Sequence, residues 1–428
     1  MNPRYRWLLL FLGLAMIAVA MRIALLDEPV RRIPEFLVLF FLFFAVYCGA
    51  IFVLSRVTIS TTKLVAFVIG VAVLCRLVFL VQTPSLSTDI YRYLWEGRVI
   101  AAGHNPFAIA PQAPELEPLR DKNFEGVSHK HMQTIYPPLS QALFFLGAVV
   151  HPSLTTLKAI FVIFDLATLA IIILLLRAKR RQLAMCAVYA WSPLVILEIS
   201  HSGHLDSVGI FFLVLAVYLF EKRRAFAVTS ALALSFLAKF FAILLTPFFL
   251  FKKRHVTWLV PFVLIAVIGF LPFAGAGDKL FSSLGTYSRH WEFNSALFSL
   301  ATRIFGHPHW IRILFFGAVV VYSVVQGYRR SSFIEYVRRV IALALLLAPT
   351  FYPWYLCWLI PFLVFSPKRS WMYLSGAAVL SYWVWVRFEN TGIWDPGPVV
   401  MAVEWVPFFT LLAVEMVQSR VRRGGDQV

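Results

Sequence analysis

Charge is scarce in this chain. Only 14% of its 428 residues are Asp, Glu, Lys or Arg, against about 25% in a typical soluble domain, which excludes an ordinary water-exposed globule. Cysteine is sparse too: Cys48, Cys75, Cys186 and Cys357 lie far apart, each inside an apolar run. They read as small buried side chains and support neither a disulfide framework nor a zinc site. No internal repeat is visible, which weakens any reading as an inverted-repeat transporter. No nucleic-acid readout motif accompanies the formal charge of +18, so that charge does not imply a nucleic-acid partner.

What the chain has in abundance is apolar residues, 60% of the total, gathered in runs near the ~20 residues that cross a hydrocarbon layer. Such runs occupy 8–26, 33–54, 64–81, 154–176 and 256–273. The basic residues sit between them in short clusters: Arg177/Lys179/Arg180/Arg181, Lys222/Arg223/Arg224, Lys252/Lys253/Arg254, Arg329/Arg330, Lys368/Arg369 and Arg420/Arg422/Arg423. This is the positive-inside pattern of cytoplasmic loops. Ala18-Val19-Ala20 mimics a signal-peptide cleavage site, but the apolar stretch continues to residue 26, the pattern of an uncleaved first span.

With the basic clusters inside, spans 7–26, 33–54 and 64–82 run out, in and out. Residues 83–136 become a long external loop with six acidic and five basic residues. Segment 138–150 is short for a span and is expected to be interfacial or re-entrant, with 155–176 crossing back. Segment 225–251 is too long for one crossing, and a helical pair broken near Lys239 resolves its length. Further spans are expected at 256–273, 309–327, 338–351, 354–366, 371–387 and 399–417. The predicted fold is an all-α integral-membrane bundle of about thirteen transmembrane helices, with external amphipathic or re-entrant helices and both termini cytoplasmic. It forms one integral-membrane domain over 1–428.

Polar chemistry then collects on the external side. Ser87-Thr88-Asp89-Ile90-Tyr91-Arg92 directly follows an outgoing span. Asp89 stands at the water–lipid boundary, where a carboxylate can deprotonate a hydroxyl; alternatively Thr88 or Asp89 is simply a helix N-cap. Gly103-His104-Asn105-Pro106-Phe107 and Tyr136-Pro137-Pro138-Leu139 read as turn and helix-entrance punctuation. His201-Ser202-Gly203-His204-Leu205-Asp206 could hold a metal, but it matches no zinc spacing and suits a hydrogen-bonded loop better. Lys239, in Leu237-Ala238-Lys239-Phe240-Phe241, is either functional or snorkelling, and Arg76 inside the third span poses the same choice. Phe351-Tyr352-Pro353-Trp354-Tyr355 either stacks on sugar rings or belongs to an interfacial belt.

Taken together, these segments resemble the GT-C superfamily of membrane glycosyltransferases. The likeness is to bacterial polyprenyl-phosphate-mannose-dependent transferases and to the catalytic mannosyltransferase of GPI-anchor synthesis. The matching order is Thr88-Asp89-Ile90-Tyr91, Glu96-Gly97-Arg98, Asn105-Pro106-Phe107 and Tyr136-Pro137-Pro138-Leu139. Asp165-Leu166, Trp191-Ser192-Pro193-Leu194, His204-Leu205-Asp206-Ser207, Ala238-Lys239 and Tyr352-Pro353-Trp354-Tyr355 follow. The resemblance spans 64–366, with catalytic loop 83–136; residues 1–63 add two N-terminal spans and 367–428 the C-terminal ones.

The resemblance implies transfer of a hexose, mannose in particular, from a polyprenyl-phosphate donor to a lipid or glycan hydroxyl, with inversion at the sugar carbon. Asp89 is the implied general base, and Lys239, Arg92 and Arg76 the groups facing the donor phosphate. His204, Asp206, Glu96, Tyr136, Tyr352 and Trp354 are the implied sugar and acceptor pocket. The GPI enzyme has a second carboxylate two residues after the first, where this chain has Tyr91, so neither a metal nor another cofactor is expected. Membrane lipids are expected partners and nucleic acid is not. A multi-span transporter or flippase is the alternative, and it predicts substrate groups near the bilayer midplane; a non-catalytic scaffold leaves the pairing of Asp89 with Lys239 unexplained.

Overall fold

The computed structural model describes residues 3–26, 28–57, 61–250, 256–329 and 332–425. The basic residues Lys252, Lys253, Arg254 and Arg330 lie outside the described residues, as do the side chains of Arg420, Arg422 and Arg423.

Among the described residues the chain is helical and forms no strand; one isolated bridge joins Phe293 to Thr350. Seven helices are long and apolar enough to cross a membrane, or eight when the bent pair Leu183–Ala190 and Pro193–His201 is counted as one span. The first is α1 (Pro3–Ala24), the second α2 (Ile33–Ser55) and the third α3 (Thr62–Leu80). After the long loop 83–136, whose first helix is α4 (Asp89–Ala101), come α5 (Pro138–Val150) and α6 (Leu154–Ala178). The other span-length helices are Val256–His290, Pro308–Tyr328 and Pro398–Ser419. The remaining crossings expected from hydropathy are short or broken elements. Residues 354–366, for example, form a 3-10 turn, Pro353–Trp358, followed by the four-residue helix Ile360–Leu363. Pro353 and Pro361 each remove a backbone donor there.

Two segments singled out in the sequence form separate elements. Segment 138–150 is a separate thirteen-residue helix, α5. Segment 225–251 breaks at Lys239 into the helix Ala225–Ala238 and the 3-10 helix Phe240–Phe249. Lys239 is extended (φ −157, ψ 127), so the carbonyls just before it lose their helical partners. Ser140 of α5 supplies one, donating to the Ala238 carbonyl at 2.7 Å.

Close packing holds α4 and α5 together at Gly97, where a Cβ would stand 2.1 Å from the Phe144 carbonyl oxygen. Beside it the Tyr93 ring lies parallel to that of Phe144, centroids 4.7 Å apart. The two N-terminal spans join the same core: the Tyr47 hydroxyl of α2 donates to the Val188 carbonyl at 2.8 Å, and Phe36 meets Tyr382 edge-on.

Candidate active site

A cavity of about 930 Å³ opens between α4, the loop around 128–137, the Lys239 break, segment 284–293 and the stretch 345–394. Its walls carry Asp89, Arg92, Tyr136, Lys239, Tyr352 and Trp354. Six of the ten site residues expected from sequence thus share one chamber, although Asp89 and Trp354 are far apart in the chain.

Asp89 is the first residue of α4, and the N-cap position falls to Thr88, which makes no side-chain capping bond. The Asp89 carboxylate is 31% exposed, toward the cavity. A carboxylate at this end of a helix also meets the positive end of the helix dipole.

Arg92 has a different task from the one expected of it. Its Nε donates to Glu96 at 2.8 Å, Nη1 to the carbonyls of Ser128 and His129 at 3.1 and 2.9 Å, and Nη2 to that of Met132 at 2.6 Å. Four of the five guanidinium donors are thereby spent. The second Glu96 oxygen accepts from Thr134 and Gln141, each at 2.7 Å. This buried network pins loop 128–134 onto α4 and α5, and Glu96 stands behind the cavity wall as part of that anchor.

Arg76 is not brought to the cavity at all. It is buried in α3 and pairs with Asp165 of α6, which also accepts from Tyr189 at 2.5 Å; its Nη1 donates to the Ala72 and Ala190 carbonyls at 3.0 and 2.8 Å. A buried charge needs such compensation, and the pair ties α3 to α6.

Of the three basic residues expected at a phosphate, Lys239 keeps its ammonium at the cavity. It bonds Asp206 at 2.6 Å and lies 4.8 Å from the centre of the Tyr355 ring, leaving two of its three N–H donors for a ligand. Asp206 itself is buried behind the wall, where it also accepts from Trp358 Nε1 at 2.5 Å. His204 is likewise buried behind the wall, stacked on Trp354 at 4.0 Å. Trp354 stacks on Tyr352 at 4.3 Å and Tyr352 on Phe293 at 4.4 Å, a continuous aromatic ladder along one side of the chamber. Burial raises the Tyr136 phenol well above its usual pKa of 10.0, so it is a neutral donor at neutral pH. Burial, and then the nearby Arg92 charge, lowers the His129 imidazole below 6.5.

Several residues escaped the sequence reading: Tyr287, His129, Trp291, Phe293 and Tyr382 on the cavity, and Glu198 behind it, which accepts hydrogen bonds from Tyr382 at 2.8 and 3.0 Å. Glu198 alone carried a usable signal, an acid within Val195-Ile196-Leu197-Glu198-Ile199, since ionisable groups in apolar runs are functional candidates by default. The aromatic residues carry no such mark in a chain that is 16% aromatic. Among the described residues no group of three or more His, Cys, Asp or Glu is arranged to hold a metal ion.

Seven span-length apolar helices, together with a chamber of acid, ammonium and stacked aromatics, define a membrane-embedded protein with a site suited to a polar ligand carrying an anionic group. The chain belongs to the MptA_B family, whose model, alpha-(1->6)-mannopyranosyltransferase, N-terminal domain, matches residues 9–253. It is therefore a membrane glycosyltransferase of a mannosyltransferase family. The match takes in the two N-terminal spans and the positions of Asp89 and Lys239, whereas Tyr352, Trp354 and the 284–293 wall lie beyond it. Neither curated proteins nor solved structures yield a match.

Proposed function

We propose that the protein transfers mannose from a polyprenyl-phosphate donor to a hydroxyl of a lipid-linked or glycan acceptor, without a metal, on the external face of the bacterial inner membrane. The observation that carries this reading is the placement of Asp89 and Lys239 in one aromatic-walled chamber. Asp89 accepts the proton of the acceptor hydroxyl as that oxygen attacks the sugar carbon. Lys239 neutralises the departing phosphate, where negative charge grows in the transition state. Tyr352 and Trp354 offer flat apolar faces to a sugar ring, and Tyr136 a neutral hydroxyl. Arg92 acts indirectly, by holding the loop that closes the chamber. The transporter alternative finds no support in the family match.

The sidedness rests on loop charge. With single cysteines and an impermeant reagent, Asn123→Cys in the loop after α4 is expected to label from outside, and Gln182→Cys beyond α6 only after permeabilisation. The reverse pattern would put the chamber on the cytoplasmic side. The activity is tested by supplying purified protein with labelled polyprenyl-phosphate mannose and a membrane lipid extract, and following transfer of the label.

A further inference from the structure

Behind the chamber, residues 198–206 close on the back of Asp89. His204 Nδ1 lies 3.8 Å from Asp89 Oδ2, and Nε2 lies 3.4 Å from Glu198 Oε2. Both His204 and Glu198 are fully buried, and neither imidazole nitrogen makes a hydrogen bond in this arrangement. The Tyr382 hydroxyl donates to the Glu198 carboxylate, 2.8 and 3.0 Å from its two oxygens. Trp354 covers one face of the imidazole.

The sequence is fitted to this placement at Gly203. Its φ of 72 favours glycine, and a Cβ there would stand 2.4 Å from Ile90 Cδ1 and 3.1 Å from Lys158 Cγ. Ile90 directly follows Asp89, so the Gly203–His204 turn is moulded onto the start of α4.

We infer that His204 is a positioning residue: braced by Trp354 and backed by Glu198, it holds one oxygen of Asp89 so that the other faces the acceptor hydroxyl. This rests on the reading of Asp89 as the base. A buried ring with two idle polar nitrogens is costly unless they find partners; the two carboxylates lie within 4 Å of them, and an imidazolium can donate to both, whereas a neutral ring donates through one nitrogen only. The distance to Glu198, 3.4 Å, lies just beyond the 2.7–3.2 Å range of N–H···O bonds, and the distance to Asp89, 3.8 Å, lies more than half an ångström beyond it. Catalytic hydrogen bonds are commonly long before substrate binds and tighten in the complex. A catalytic carboxylate displaced by about 1 Å can lose about 10²-fold in rate, which sets the scale of what His204 contributes.

The test is a set of His204 and Asp89 variants assayed for mannosyl transfer from the polyprenyl-phosphate donor. His204→Phe keeps the stack on Trp354 but removes both nitrogens; kcat is expected to fall about 10²-fold, with the donor KM and thermal stability unchanged. His204→Asn returns an amide donor toward Asp89 and is expected to recover part of the loss. In an Asp89→Asn background His204→Phe should cost nothing further, because groups acting as a unit are not additive. Wild-type kcat in His204→Phe, or an undiminished effect in that background, would overturn the inference. Should the phenylalanine variant not fold, His204→Leu and His204→Asn make the same comparison, and equal rates would overturn it. If Asp89→Asn itself is fully active, it is the base reading that fails; a slow Asp89→Asn beside a fast His204→Phe removes only the role of His204.

Discussion

Asp89→Asn is expected to slow transfer by about 10²–10⁴-fold, the usual cost of losing a general base, in a protein that folds normally. The side chain keeps its shape, but an amide cannot take up the hydroxyl proton. Stability is predicted to hold because the N-cap position belongs to Thr88, and asparagine in any case caps a helix about as well as aspartate. The nearest cation-forming neighbour, His204, is 3.8 Å away, so no close ion pair is lost. Chelation completes the experiment. Tyr91 occupies the offset where a second carboxylate would stand, and its ring packs on Gly126, where a Cβ would meet Tyr91 Cγ at 2.7 Å. EDTA should therefore leave the rate intact; activity that EDTA abolishes and Mn²⁺ or Mg²⁺ restores would contradict the metal-free mechanism.

Lys239→Met is expected to lower turnover by about 10²–10³-fold, the range for a lost contact to developing negative charge. Methionine retains the apolar stem beside Tyr355 and removes the ammonium. The substitution also strips buried Asp206 of a partner 2.6 Å away, and an orphaned buried charge is itself destabilising. The double variant Lys239→Met/Asp206→Asn separates the two effects, since it removes both charges. If Lys239 binds phosphate, the double variant folds well and stays inactive. If Lys239 serves only as the counter-ion of Asp206, the double variant recovers wild-type turnover.

The sequence disclosed the membrane class, the segments that gather their polar residues around one chamber and the break at Lys239. Those features are written in local terms: run length, loop charge and an ionisable group amid apolar neighbours. What it did not disclose is which charges are already spent. Arg92 looks available in sequence, yet Glu96 one turn later and three carbonyls more than thirty-five residues away consume it. Arg76 finds its partner Asp165 at a separation of 89 residues. His204 and Asp206 were expected on the wall and lie behind it, because the Gly203 turn packs against Ile90 and Asp206 is drawn to Lys239 and Trp358. The number of crossings was hard to read for a related reason. Proline-bearing and 3-10 stretches such as Phe240–Phe249 and Pro353–Trp358 are as apolar as spans, but they do not form long helices.

The most direct measurement gives purified protein polyprenyl-phosphate mannose labelled in the sugar, together with a membrane lipid extract, and compares wild type with Asp89→Asn. Label is expected to move into a lipid-linked or glycan product with wild type and not with the variant, and a nucleotide-linked mannose supplied in its place to give none. Transfer from the nucleotide sugar, or equal transfer by both proteins, would contradict the proposed function.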